Sequence, residues 1–123
     1  KIVIDVHRDA LSDGSNKTKL VTDINGKKAA QVMLVMGSQT GSVTGHENWQ
    51  ENLKFALKYQ EKMEEMYPGL ARSLMLRSSK YNQNLTTGSI LLEVGSEANT
   101  LSEAKAAAEL AAKALVELFG TMK

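Results

Sequence analysis

At 123 residues the chain carries enough sequence for one hydrophobic core and too little for two. Fifteen Lys and Arg against 14 Asp and Glu leave a formal charge of +1, which excludes a polyanion-binding protein built on bulk charge. With 42% hydrophobic residues and no cysteine it reads as a globular domain without disulfides, thiolate zinc sites or cysteine nucleophiles, and its longest apolar run, residues 29–37, is well short of the roughly 18 a membrane span needs.

The first six residues, Lys1-Ile-Val-Ile-Asp-Val6, are a β-branched run of the kind found in a buried inner strand of an α/β sheet. Domains seldom open in mid-strand, so the expectation is that residues 1–123 lack the N-terminal portion of a larger domain. Residues 12–19, rich in Ser, Asn, Asp and Gly, read as a loop. Leu20 to Ile24, the Asn25-Gly26 pair and Lys28 to Met36 predict a hairpin with a type I′ turn. Within it Val32 to Met36 is apolar without alternation, which predicts cover on both faces. Gly37 to Gly45, with three glycines, reads as a flexible connection.

A helix is predicted from Trp49 to Tyr67, with Trp49, Leu53, Ala56, Leu57, Met63 and Met66 on its apolar face and Pro68-Gly69 as its stop. Ser89 to Val94 reads as a strand interrupted by Glu93. A second helix, Leu101 to Phe119, opens on Thr100 and Glu103 as a capping box, buries Leu101, Ala104, Ala108, Ala111, Leu115 and Leu118, and ends at Gly120. The methionines in the Val32 strand and the Trp49 helix read as core filling. The fold class is α/β, a mixed, mostly parallel sheet with helices packed on it.

Two positions break the apolar pattern in the same way. His7 follows a hydrophobic strand directly and Glu93 sits inside one. Strand ends of open α/β sheets are where ligand crevices form, and a charged Glu in Ile-Leu-Leu-Glu-Val is costly to bury without a cation or several donors. A strand-end His is a natural metal ligand when its other ring nitrogen is held, and Asp5, two residues earlier on the same side, is a candidate partner. The competing reading is a hydrogen-bonded His and a Glu paired with Arg8 or Arg77. His46, in Thr44-Gly45-His46-Glu47 with no second His at ligand spacing, reads as a helix-start residue. A 5% aromatic content is too low for a single-stranded nucleic-acid platform, and there is no phosphate-binding Gly-x-x-x-x-Gly-Lys loop or Gly-x-Ser-x-Gly elbow.

At Glu93 a specific pattern appears. Glu93-Val-Gly95-Ser-Glu-Ala-Asn99 resembles the Glu-x-Gly-Phe-x-x-Asn motif of the zinc-dependent N-acetylmuramoyl-L-alanine amidases of bacterial cell walls. Ile4-Asp-Val-His-Arg-Asp-Ala10, Gly26-Lys-Lys-Ala-Ala-Gln-Val-Met-Leu-Val35, Asn48-Trp-Gln-Glu-Asn-Leu53, Tyr67-Pro-Gly-Leu70 and Tyr81-Asn-Gln-Asn-Leu85 bring it closer to one branch, the stage II sporulation protein P family. The resemblance implies an amidase-like fold lacking its N-terminal portion. It also implies Glu93 as catalytic acid/base, His7 as one zinc ligand, and weaker positioning roles for Asp5, Arg8 and Asn99. Ser96 stands where the broader motif has Phe. The family's other two zinc ligands precede the segment matched by His7, so zinc binding by this chain alone is expected to be weak or absent.

The implied substrate is peptidoglycan, cut at the amide joining the lactyl group of N-acetylmuramic acid to L-alanine. The branch is also associated with endopeptidase activity on cross-links. The resemblance further implies a sporulation protein acting in engulfment beside stage II sporulation protein D. It would be extracytoplasmic, between mother cell and forespore, held to the membrane by an anchor outside this chain, with no nucleic-acid partner. A non-catalytic wall-binding module of the same fold is the alternative. The chain by itself is expected to self-associate through an uncovered sheet edge.

Overall fold

The computed structural model describes residues 1–13 and 16–121. In chain order the strands are β1 (Val3–Asp9), β2 (Ser12–Asp13), β3 (Asn16–Lys17), β4 (Val21–Ile24), β5 (Lys27–Ala30) and β6 (Val32–Gly37). Helix α1 (Trp49–Met66) follows, then β7 (Met75–Arg77), a single 3-10 turn (Gln83–Leu85), β8 (Ser89–Ser96) and α2 (Leu101–Thr121). Four strands form one mixed sheet in the order β1-β8-β6-β7. β1 runs parallel to β8, β6 antiparallel to β8, and β7 parallel to β6. The expected α/β class and mixed sheet are therefore present.

The Asn25-Gly26 pair makes the predicted turn, both residues having positive φ (54° and 80°), and joins β4 to β5. The expected second hairpin strand is two strands: Gln31 separates β5 from β6, and its N–H donates to Leu20 O at 3.0 Å. All six residues of β6 are buried, as its unalternating apolar run requires. The 12–19 segment is a small antiparallel pairing of β2 with β3 rather than plain loop, and its tip, residues 14 and 15, lies outside the described residues. β7, three residues long, gave no periodic signal in the sequence.

Both helices pack on one face of the sheet. The core there joins Val32, Leu34, Met36, Ile90, Leu92 and Val94 of the strands to Phe55, Ala56, Tyr59 and Met63 of α1 and to Ala106, Ala107, Ala111, Ala114 and Leu118 of α2. The alanines of α2 let it lie close against β5 and β8, and Phe55 stacks on Phe119 with centroids 6.3 Å apart. The Tyr59 hydroxyl donates to Ala111 O at 2.6 Å, tying the two helices together.

Three expectations are corrected. The apolar stripes are rotated: α1 buries Phe55 and Tyr59 while Leu57 is exposed, and α2 buries Ala106 and Ala107 while Leu101 is 71% exposed. Each helix has apolar residues around much of its circumference, so the neighbour it packs on selects the face. Gly120 does not stop α2, which continues through Thr121. Finally, β1 is an edge strand, not a buried inner one: Ile2, Ile4 and Val6 are 42%, 36% and 64% exposed, because the helices lie over β5, β6 and β8. The capping box is as predicted, with Glu103 N–H donating to Thr100 Oγ1 at 3.1 Å and Thr100 N–H to Glu103 Oε1 at 3.0 Å.

Candidate active site at the β1–β8 strand ends

The face of the sheet opposite the helices carries the chemistry. In the parallel pairing of β1 with β8, Asp5 stands beside Leu91 and His7 beside Glu93, so all four side chains share that face. Met33 of β6 flanks Glu93 on its other side. His7 Nε2 is 3.0 Å from Asp5 Oδ1, the arrangement that orients an imidazole and leaves Nδ1 available. Beyond His7 the register with β8 shifts, and Asp9 comes opposite Ser96. Such a bulge turns the strand end and re-aims its side chains.

Glu93 is partly buried, and its Oε2 is buried with no hydrogen-bond partner. Burial pushes its carboxyl above the usual carboxylate range, the Asp9 charge adding to the rise, while His7 and Arg72 pull it back. The Glu93–Arg8 or Glu93–Arg77 ion pair of the competing reading is absent. Arg72, which sequence reasoning did not single out, instead binds Asp9, Nη1 to Oδ2 at 3.2 Å. Its backbone is fixed by its own N–H donating to Val32 O at 2.7 Å. The signal that could have found Arg72 is its place just past the Pro68-Gly69 stop, where the chain returns to the sheet. Arg8 is exposed, and its charge bears on Glu97.

Asn99 builds the loop after β8. Its Oδ1 accepts from Ser96 N at 2.7 Å, and its Nδ2 donates to Leu20 O at 2.9 Å and Glu103 Oε1 at 3.1 Å. Ser96, where the broader motif has Phe, is fully buried; its hydroxyl donates to Thr18 O and accepts from Ala98 N. Gly95 allows this geometry with φ of 67°, and a Cβ there would lie 2.5 Å from Asn99 Oδ1. Glu97 ties the loop back to β1, its N–H donating to Asp9 O at 3.0 Å and its carboxylate accepting from Leu11 N at 2.9 Å. The Glu-x-Gly-x-x-x-Asn spacing is thus a mechanical unit that holds the end of β8 beside β1.

His46 is not part of this site. Because β6 is antiparallel to β8, the Gly37 end of β6, against which His46 lies, is at the opposite end of the sheet from Glu93. Among the described residues no group of three His, Cys, Asp or Glu side chains is placed to hold a metal ion. No described helix is long and apolar enough to cross a membrane.

Comparison with known proteins gives the family. The Stage II sporulation protein P of Bacillus subtilis (strain 168) is 34% identical over 122 residues, covering 95% of this chain and 28% of that protein, so the chain spans less than a third of its relative's length. No solved structure matches. The family model described as Stage II sporulation protein P (SpoIIP) matches residues 1–116, and the chain therefore belongs to that family of sporulation proteins.

Proposed function

We propose that the chain carries the general acid/base of a peptidoglycan hydrolase of sporulation, one that cleaves the N-acetylmuramoyl-L-alanine amide bond. The observation that carries this reading is the buried, unpartnered Glu93 Oε2, in register with a strand-end His on the uncovered face. Burying an unsatisfied carboxylate oxygen costs on the order of 1–3 kcal/mol or more, and a fold that needed Glu93 only for packing would have paired or replaced it. Perturbed carboxylates at strand ends are candidates for proton transfer.

In this role Glu93 takes a proton from the attacking water and returns it to the leaving amine. Burial raises its pKa, which makes the carboxylate a stronger base toward the proton of the attacking water. Asp5 orients His7, and the Arg72–Asp9 pair sets the field around Glu93. A catalytic zinc would supply an activated water. The described residues do not complete such a site: His7 would be one ligand, and the others would come from elsewhere in the complete protein. On the same reading that protein works outside the cytoplasmic membrane beside stage II sporulation protein D, anchored by a segment beyond this chain. Cross-link endopeptidase activity belongs to the same proposal.

The test is digestion of purified peptidoglycan by the complete protein, with released stem peptides quantified and zinc content measured. Glu93→Gln is expected to keep zinc and wall binding and to lower turnover by about 10²-fold or more. His7→Ala is expected to lose metal and activity together. Wild-type rates from Glu93→Gln, with a change in stability alone, would refute the assignment and favour a wall-binding module.

A further inference from the structure

Between α1 and β7 the chain returns briefly to the sheet, and that return mounts a cation beside Glu93. Ala71 bridges Val32 in the parallel sense, Leu70 O accepts from Val32 N at 2.9 Å, and Arg72 N donates to Val32 O at 2.7 Å. Val32 and Ala71 both pack into the core under the helices. Side chains alternate along an extended chain, so the next pair, Met33 and Arg72, stands on the opposite, uncovered face with Glu93 and His7. The base of Arg72 is rigid, since Leu70 is fully buried and Gly69 O accepts from Gln31 Nε2 at 3.0 Å.

From that base the side chain crosses the sheet. Strands lie about 4.8 Å apart, so the 70–72 segment, β6, β8 and β1 together span about 14 Å. Arg72 Nη1 meets Asp9 Oδ2 of β1 at 3.2 Å, so the guanidinium lies over β8, the strand of Glu93, and its charge reaches the Glu93 carboxylate. Among the described residues Asp9 is its one hydrogen-bond partner, which leaves most of its donors unused. Asp5, Asp9 and Glu93 set three carboxylates around the same spot, and each repels negative charge that develops there. Arg8 bears on Glu97 instead, and His7 is held by Asp5. Of the described residues, Arg72 is the permanent cation whose charge acts on Glu93.

We propose that Arg72 is a further catalytic residue, donating from its unused guanidinium edge to the carbonyl oxygen of the scissile amide. The proposal rests on the hydrolase reading of Glu93 and deepens it. As water adds to the carbonyl carbon, its proton passes to Glu93, the new C–O bond forms, and the C=O π pair moves onto the oxygen that Arg72 holds. On collapse that pair restores the C=O bond, the C–N bond breaks, and the Glu93 proton goes to the nitrogen. A neutral amide oxygen is a weak partner for a guanidinium and an oxyanion a strong one, so Arg72 favours the transition state over the bound substrate. Asp9 fixes the donor beforehand, and no reorganisation is needed at the moment of reaction.

The experiment uses the complete protein as wild type, Arg72→Ala, Arg72→Lys and Glu93→Gln. In peptidoglycan digestion Arg72→Ala is expected to lower kcat by about 10²-fold or more, with KM and zinc content unchanged. Arg72→Lys, a cation without the planar fork, is expected to recover part of the loss. Guanidinium chloride at sub-denaturing concentration should restore part of the activity of Arg72→Ala and none of that of Glu93→Gln. A phosphinate analogue, with tetrahedral phosphorus in place of the scissile carbonyl carbon, is expected to bind Arg72→Ala about 10²-fold more weakly than wild type in calorimetric titration. A kcat within about threefold of wild type in Arg72→Ala, a loss confined to KM, loss of zinc along with activity, or equal binding of the analogue would each overturn the proposal. Wild-type rates in Glu93→Gln overturn the Glu93 reading instead. Should the wild-type protein hydrolyse nothing, that reading falls as well, and the titration still decides whether Arg72 holds a tetrahedral oxyanion.

Discussion

Replacing Gly95 by Ala tests whether the motif after Glu93 works as a mechanical unit. The added methyl acts in two ways. It places an L-residue at φ of 67°, which costs about 1–2 kcal/mol. It also sets Cβ 2.5 Å from Asn99 Oδ1 and 2.8 Å from Ala30 Cβ, so Asn99 must move. Asn99 cannot move without releasing Ser96 N, a buried donor it holds at 2.7 Å, at a further cost of about 1–3 kcal/mol. The sum, about 2–5 kcal/mol, corresponds to a fall in Tm of roughly 8–20 °C at about 4 °C per kcal/mol for a domain of this size. Thermal unfolding followed by circular dichroism reads it, with Gly120→Ala as the control. Nothing lies within 4 Å of a Cβ at Gly120, and its φ is not in the left-handed region, so no fall in Tm is expected there, and helix propensity favours a rise of up to about 4 °C. In an Asn99→Ala background, Gly95→Ala should cost less by the part that comes from releasing Ser96 N, about 1–3 kcal/mol, while the backbone cost and the 2.8 Å approach to Ala30 Cβ remain. A Gly95→Ala protein melting within 2 °C of wild type, or identical costs in both backgrounds, would refute the account of this loop.

Other outcomes follow from the same structure. Burial holds the Tyr59 phenol protonated up to about 12 against its usual 10, so its contribution is complete below pH 10 and lost as pH rises through 12. Those two units are worth about 3 kcal/mol, and Tyr59→Phe should flatten the stability profile between pH 10 and 12 in urea titrations. The Thr100 N–H, with Lys19 and Asn99, holds the Glu103 carboxyl down to about 2, so its contribution is present above its usual 4.5 and lost as pH falls toward 2. Glu103→Gln should remove that acid-side slope while leaving the alkaline side unchanged. The outer edge of β1, with Ile2, Ile4 and Val6 exposed, should make the 123-residue chain self-associate, and Val6→Lys should reduce this. A concentration-independent monomer in light scattering would count against that expectation.

Local rules made part of this protein legible in advance. The Asn25-Gly26 turn needs only two residues tolerant of positive φ, the Thr100–Glu103 box needs only a spacing of three, and the burial of β6 follows from an apolar run without alternation. His7 and Glu93 stood out because charge inside an apolar strand is costly wherever that strand ends up. What lay beyond the sequence was everything set by a partner distant along the chain. The exposure of β1 depends on where α1 and α2 settle, since a β-branched run reads the same at an edge as at the centre. The buried faces of the helices were chosen by their neighbours, because each has apolar residues on more than one side. The Arg72–Asp9 pair joins residues 63 apart. Side chains that meet only across such separations leave no periodic trace, and these contacts decide which way the candidate site faces and what surrounds it.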